Sequence, residues 1–167
     1  MAESVVLYLI RHAIAAERGD EWPDDTKRPL TEKGIERMRK VVLGLAALDP
    51  QVGIIFTSPL VRARQTADLL VTGLKPRPAL DVLADLAPGG TPAYVAEAVA
   101  ARETDGSVAL VGHEPDLGEL GAWLLGTKHP LVFKKGGVCR IDLSRRVAPG
   151  SGQLVWLATP SMLRGLA

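Results

Sequence analysis

The apolar positions alternate between short continuous runs and longer stretches spaced for one face of a helix. Val5–Ile10 (VVLYLI) is apolar at every position, the pattern of a strand buried on both faces. It stops at Arg11-His12, and a polar loop follows over Ile14–Arg28, with Gly19, Pro23 and five acidic residues. Thr31 is placed to cap a helix. Ile35, Met38, Val41, Val42 and Leu45 recur on one face of it, and Asp49-Pro50 marks its end. Gly53–Thr57 predicts a second strand, stopped by Ser58-Pro59. Leu60, Ala63, Ala67, Leu70, Val71 and Leu74 then form another helical stripe. A third strand over Ala79–Leu83 has a weaker pattern. After the Pro88-Gly89-Gly90 loop, Thr91-Pro92 reads as a cap with proline in the first turn, opening a helix marked by Val95, Ala98 and Val99. Ser107–Gly112 is a further buried strand ending at His113, and Pro115 opens a helix with Leu117, Leu120 and Leu124 inward. Val138–Leu143 and Leu154–Ala158 are expected to pair as a hairpin across Pro149-Gly150-Ser151-Gly152.

Strands alternating with helices predict an α/β fold: a mostly parallel central sheet with helices on both faces, a three-layer sandwich. The length, 167 residues, suits one domain spanning 1–167. An apolar content of 47% with 23% charged residues excludes a wholly disordered chain. Twenty Lys and Arg against nineteen Asp and Glu leave a net charge of +1, so no global polyanion-binding surface is signalled and no nucleic-acid partner is expected. The single Cys139 has no partner for an internal disulfide. With neither a basic-then-apolar leader nor a spanning-length apolar run, a cytoplasmic protein with no membrane association is expected.

Three predicted strands end in residues suited to phosphate. The first delivers Arg11 and His12, the second runs into Ser58 and then Arg62 and Arg64, and the strand before His113 delivers that histidine. Ligands in open α/β sheets bind at the carboxyl ends of strands, so these residues are expected to converge. Guanidinium groups match phosphate oxygens bidentately and keep their charge, which is what phosphoryl transfer requires. An imidazole is a nucleophile only when neutral, and neighbouring guanidinium groups would hold it so. The third histidine, His129, falls in a loop and reads as a surface residue. No cluster of His, Cys or carboxylates has metal-ligand spacing, and Arg11 beside His12 would repel a cation.

Five segments in order resemble the histidine phosphatase superfamily. They are Leu9-Ile10-Arg11-His12-Ala13, in the R-H-A form of the family's R-H-G, and Arg28-Pro29-Leu30-Thr31-Glu32-Lys33-Gly34. Thr57-Ser58-Pro59-Leu60-Val61-Arg62-Ala63-Arg64-Gln65-Thr66-Ala67 comes next, then Val82–Gly90, similar to a stretch of the small SixA-type phosphohistidine phosphatases. Val111-Gly112-His113-Glu114-Pro115 is the fifth. The resemblance implies a phosphoglycerate mutase-like sandwich without metal or organic cofactor. It implies that His12 is a nucleophile transiently phosphorylated and that Arg11, Arg62 and His113 bind the phosphoryl oxygens. The family's acid is a Glu, where this chain has Asp85, one methylene shorter. Asp85 therefore reads equally as proton donor or as a turn residue.

The short stretch between Asp85 and Pro92 leaves no room for a helical lid. The implied function is hydrolysis of phosphohistidine on a protein, with a histidine-containing phosphotransfer protein as partner. A small-molecule phosphomonoesterase and a non-catalytic phosphate-binding module are the alternatives. A roofed pocket with an aromatic wall would favour the small ester. Ser58 reads first as a cap of the following helix, and Trp22 as packing or as a flank of the site.

Overall fold

The computed structural model describes residues 4–102, 106–144 and 147–167. Its elements in chain order are β1 (Val5–Arg11), α1 (Glu32–Ala46), β2 (Val52–Thr57), α2 (Val61–Gly73), β3 (Ala79–Val82) and α3 (Pro92–Ala100). They continue with β4 (Ser107–Gly112), α4 (Asp116–Leu125), β5 (Val138–Leu143), β6 (Gly152–Ala158) and α5 (Pro160–Arg164). One six-stranded sheet has the order β3-β2-β4-β1-β5-β6. The first four run parallel, while β5 is antiparallel to β1 and β6 antiparallel to β5, so the expected hairpin forms the antiparallel edge.

β1 shows why this chain makes layers. Tyr8 and Ile10 face a core shared with α1, α2 and α5, through Met38, Val41, Leu45, Leu70 and Leu163. Leu7 and Leu9 face the opposite core with α3 and α4, through Val95, Val99, Leu117, Leu120 and Leu124. Each such large side chain contributes about 1.5–3 kcal/mol on burial, so a strand apolar at every position is stable only with helices on both sides. The weak pattern of β3 has its reason in position. It is the other edge strand, and its residues are exposed or half-buried.

Thr31 caps α1 as its sequence predicts, its hydroxyl accepting from the Gly34 N–H at 2.9 Å. Thr91 stands at the N-cap of α3 with Pro92 in the first turn, but its side chain accepts no capping bond. α5 was not anticipated, although Thr159-Pro160 carries the same cap-then-proline signal, and the Thr159 hydroxyl accepts from Met162 N–H at 3.2 Å. No helix among the described residues is long and apolar enough to cross a membrane.

Candidate active site

The carboxyl ends of the three central strands form the site. Arg11, the last residue of β1, is in register with Gly112, the last of β4. His12 and His113 therefore step off neighbouring parallel strands side by side, with His12 N–H donating to Gly112 C=O at 3.1 Å and ring centroids 5.1 Å apart. β2 is the other neighbour of β4, and Ser58 N–H donates to Val111 C=O at 3.0 Å as it leaves the sheet. Arg62 follows in the first turn of α2 and is buried, 3% exposed, whereas Arg64 faces solvent. Arg11, His12, Arg62 and His113 line one cavity of about 510 Å³ together with Arg18, Arg28 and Lys135. The residues named for phosphate chemistry are thus brought together, and exposed His129 stands apart in its loop.

Each ring is held in one orientation. His12 Nδ1 lies 2.7 Å from the Ala13 carbonyl oxygen. A carbonyl only accepts, so Nδ1 carries the proton and Nε2 keeps its lone pair. Ala13 is fixed in turn by Thr66, whose Oγ1 accepts from Ala13 N–H at 3.0 Å while donating to Arg62 C=O at 2.8 Å. Gln65 Oε1 accepts from Leu30 N–H at 2.7 Å and ties the start of α1 to α2.

Ser58 does more than the capping role expected of it. Its Oγ accepts from Leu60 N–H at 3.2 Å and sits 2.7 Å from His113 Nε2. The Ser58 hydroxyl has no other acceptor among the described residues, so it donates to Nε2 and leaves the proton of His113 on Nδ1. That Nδ1 is buried without a partner, as are Arg11 Nε and Arg62 Nε. Three buried N–H donors on three residues of one cavity lack an acceptor. N–H donors of this kind suit an oxyanion.

Both imidazoles are held neutral. Burial pulls His12 down to about 4, and the charges of Arg62, Arg11 and Lys135 add to the effect. Burial first, then neighbouring His12 and Arg62, pull His113 down to about 3. Neutrality was expected from the guanidinium groups, and desolvation is the larger cause. Burial pushes the Cys139 thiol up to about 12, leaving it unfit as a nucleophile.

Two supporting carboxylates carried no signal in the periodicity. Asp25, in a single 3₁₀ turn of the polar loop, accepts from Arg62 through its backbone oxygen at 2.9 Å and its Oδ2 at 3.2 Å. Its Oδ1 accepts from Arg28 Nε at 2.8 Å and pairs with Arg18 at 3.4 Å. Glu114 accepts from Gly118 N–H at 2.7 Å and Phe133 N–H at 3.1 Å, and the Phe133 carbonyl accepts from Arg11 Nη1 at 2.8 Å. Both Glu114 oxygens serve the backbone, so this residue aims Arg11.

Asp85 does not line the cavity of His12. It lies half-buried in a 3₁₀ turn and lines a smaller cavity, about 20 Å³, that it shares with His113. Its carboxylate accepts no hydrogen bond among the described residues. The adjoining loop is pinned instead by Asp116 Oδ2, which accepts from Gly89 N–H at 2.8 Å. Asp85 itself stands within the 3₁₀ turn Ala84–Leu86. Trp22 is not among the residues lining the main cavity. No group of three or more His, Cys, Asp or Glu among the described residues is placed to hold a metal ion.

This site sits where the sequence of a known class falls. The profile of the histidine phosphatase superfamily (branch 1) matches residues 7–87, and the chain belongs to that superfamily. It is 40% identical over 164 residues to an uncharacterized protein of Picosynechococcus sp. strain PCC 7002, covering 94% of this chain and 98% of that one. It is 27% identical over 160 residues to the phosphohistidine phosphatase SixA of Escherichia coli K12, covering 95% and 96%. A solved structure of the protein histidine phosphatase SixA complexed with tungstate superposes with a TM-score of 0.82 at 26% identity, over 94% of this chain and 98% of that one. The fold is the α/β sandwich of these phosphoglycerate mutase-like proteins, and phosphatase chemistry comes with the superfamily.

Proposed function

We propose that this protein hydrolyses phosphohistidine on a protein substrate through a phosphohistidine intermediate at His12. The observation that carries the reading is the trio of unpartnered buried donors, Arg11 Nε, Arg62 Nε and His113 Nδ1, beside the lone pair of His12 Nε2. Arg11, Arg62 and His113 hold the phosphoryl oxygens and stabilise the charge of the transition state. His12 Nε2 forms a bond to phosphorus as the substrate's P–N bond breaks, and the leaving imidazole takes up a proton. Water then attacks phosphorus, the bond to His12 breaks, and orthophosphate leaves. Asp85, beside His113, is the proposed proton donor. An imidazole leaving group needs little help from it, which suits a carboxylate outside the main cavity.

A protein substrate is favoured over a small ester by the wall of the site. No Phe, Tyr or Trp lines the 510 Å³ cavity, and the loop over 87–91 is short and pinned. The named SixA relatives agree with this choice. The test is turnover measured side by side, in chelator, on a phosphohistidine protein, a phosphohistidine peptide and sugar phosphates. Rapid quench with labelled substrate accompanies it. Preference for phosphohistidine, with acid-labile and base-stable label on wild type and none on His12→Ala, is the expected result. Label persisting in His12→Ala removes His12 as nucleophile, and preference for sugar phosphates overturns the substrate class. Binding without turnover would identify a phosphate-binding module.

A further inference from the structure

A second cavity, of about 430 Å³, opens beside the first, and Arg11 and Lys135 line both. Its other cations are Arg37 from α1, Lys134 and Arg164 from α5, and no carboxylate is among its lining residues. None of these five cations is ion-paired among the described residues. The chain as a whole carries a net charge of only +1, so five cations without an ion pair in one hollow are a local concentration and not overflow from a basic protein. Buried Met38 contributes an apolar patch to the lining.

The catalytic cavity offers little with which to choose a substrate. Its lining carries Arg11, Arg18, Arg28, Arg62 and Lys135 around the phosphoryl position, with Glu17 and Glu114 as the carboxylates and Ala15, Ala16, Pro88 and Pro115 as the apolar members. Selection among phosphorylated partners has to come from groups beside the phosphate, and the adjoining cavity is the surface in reach.

We propose that this second cavity docks an acidic segment of the phosphoprotein, placing its carboxylates against Arg37, Lys134 and Arg164 while its phosphoryl group enters beside His12. The inference rests on the phosphohistidine reading above for the identity of the substrate, but the docking surface itself is testable without catalysis. Complementary charge of this kind raises the encounter rate and fixes register more than it adds contact energy.

The experiment uses two short phosphohistidine peptides, one flanked by glutamates and one by glutamines, with phosphohistidine itself as control. Proteins are wild type, Arg37→Glu/Lys134→Glu and the milder Arg37→Gln/Lys134→Gln. Both positions are exposed and lie outside the catalytic cavity. Wild type is expected to favour the glutamate peptide about tenfold in kcat/KM at low salt. The preference should collapse at about 0.5 M salt and in both variants, while phosphohistidine turnover stays unchanged. Equal rates on the two peptides, or a preference that survives in both variants, overturns the docking surface and leaves the phosphatase reading standing. Fluorescence anisotropy with the unphosphorylated glutamate peptide separates the two ideas. If neither peptide is hydrolysed, binding by wild type that both variants lose upholds the surface and rejects the substrate assignment. Absence of that binding rejects the surface.

Discussion

Ser58 Oγ lies 2.7 Å from His113 Nε2, and the two residues leave neighbouring parallel strands, β2 and β4. The contact decides which nitrogen of His113 is free to donate. Ser58→Ala is expected to let His113 exchange tautomers and to lower kcat/KM about tenfold, with a stability loss of about 1 kcal/mol. Nitrogen-15 NMR of the His113 ring reads the tautomer directly. Ser58→Thr, which keeps the hydroxyl, should restore the wild-type pattern. An unchanged ring spectrum in Ser58→Ala would assign the hydroxyl to packing alone.

Arg62 spends its two terminal nitrogens on Asp25 and keeps a buried Nε without a partner. A lysine has one point of charge and cannot do both. Arg62→Lys is expected to lose about 10²–10³ in kcat/KM, the scale of a removed oxyanion donor. Steady-state kinetics check it, and activity within a few-fold of wild type would deny Arg62 a role at the phosphoryl group.

Asp85, the proposed proton donor, is expected to separate leaving groups. As a proton donor, its replacement in Asp85→Asn should slow poor-leaving-group esters by about 10²–10⁴. Activated aryl phosphates and phosphohistidine should be nearly unaffected. The measurement is kcat/KM across a leaving-group series for both proteins. A uniform loss would withdraw the acid role from Asp85.

Gly118 sets the path of the segment that aims Arg11. A Cβ there would stand 2.0 Å from the Leu131 carbonyl oxygen, which is backbone and has nowhere to go. Gly118→Ala is expected to destabilise the fold by about 1–3 kcal/mol. It should also weaken inhibition by orthophosphate, because Phe133 and the Arg11 it holds move with Leu131. Denaturant melts and a phosphate inhibition constant test the two parts. Destabilisation with an unaltered inhibition constant would break the proposed link to Arg11.

His12 and His113 titrate at about 4 and about 3 in the native protein, below the ordinary histidine value of about 6.5 that the unfolded chain shows. Between these values the unfolded chain binds protons that the native chain does not. Stability is therefore complete above about pH 6.5 and falls as pH drops toward 4. At pH 5 the loss should be about 2 kcal/mol per histidine, measured as the free energy of unfolding at about pH 7.5 and 5. His113→Gln should remove about half of the slope. A flat profile in wild type would mean that the rings are not desolvated as described.

The elements and the two core faces were legible in the chain, because an unbroken apolar run such as Val5–Ile10 has one stable environment, between two layers of helices. The strand-end residues Arg11, His12 and His113 were legible for the same reason: a polar residue that ends a buried strand must emerge at the sheet's rim. α5 had a readable signal at Thr159-Pro160, too short to stand out from a turn. Register lay beyond the sequence. Nothing in the local pattern says that Arg11 stands opposite Gly112, yet that single pairing sets the two imidazoles side by side. The bond from Ser58 to His113, the three arginines gathered by Asp25, and the second basic cavity have the same origin. Each joins residues from separate segments whose own neighbours carry no trace of the meeting. Local pattern determines which face of an element must be buried, and only closure of the whole sheet determines which polar side chains then meet at its edge.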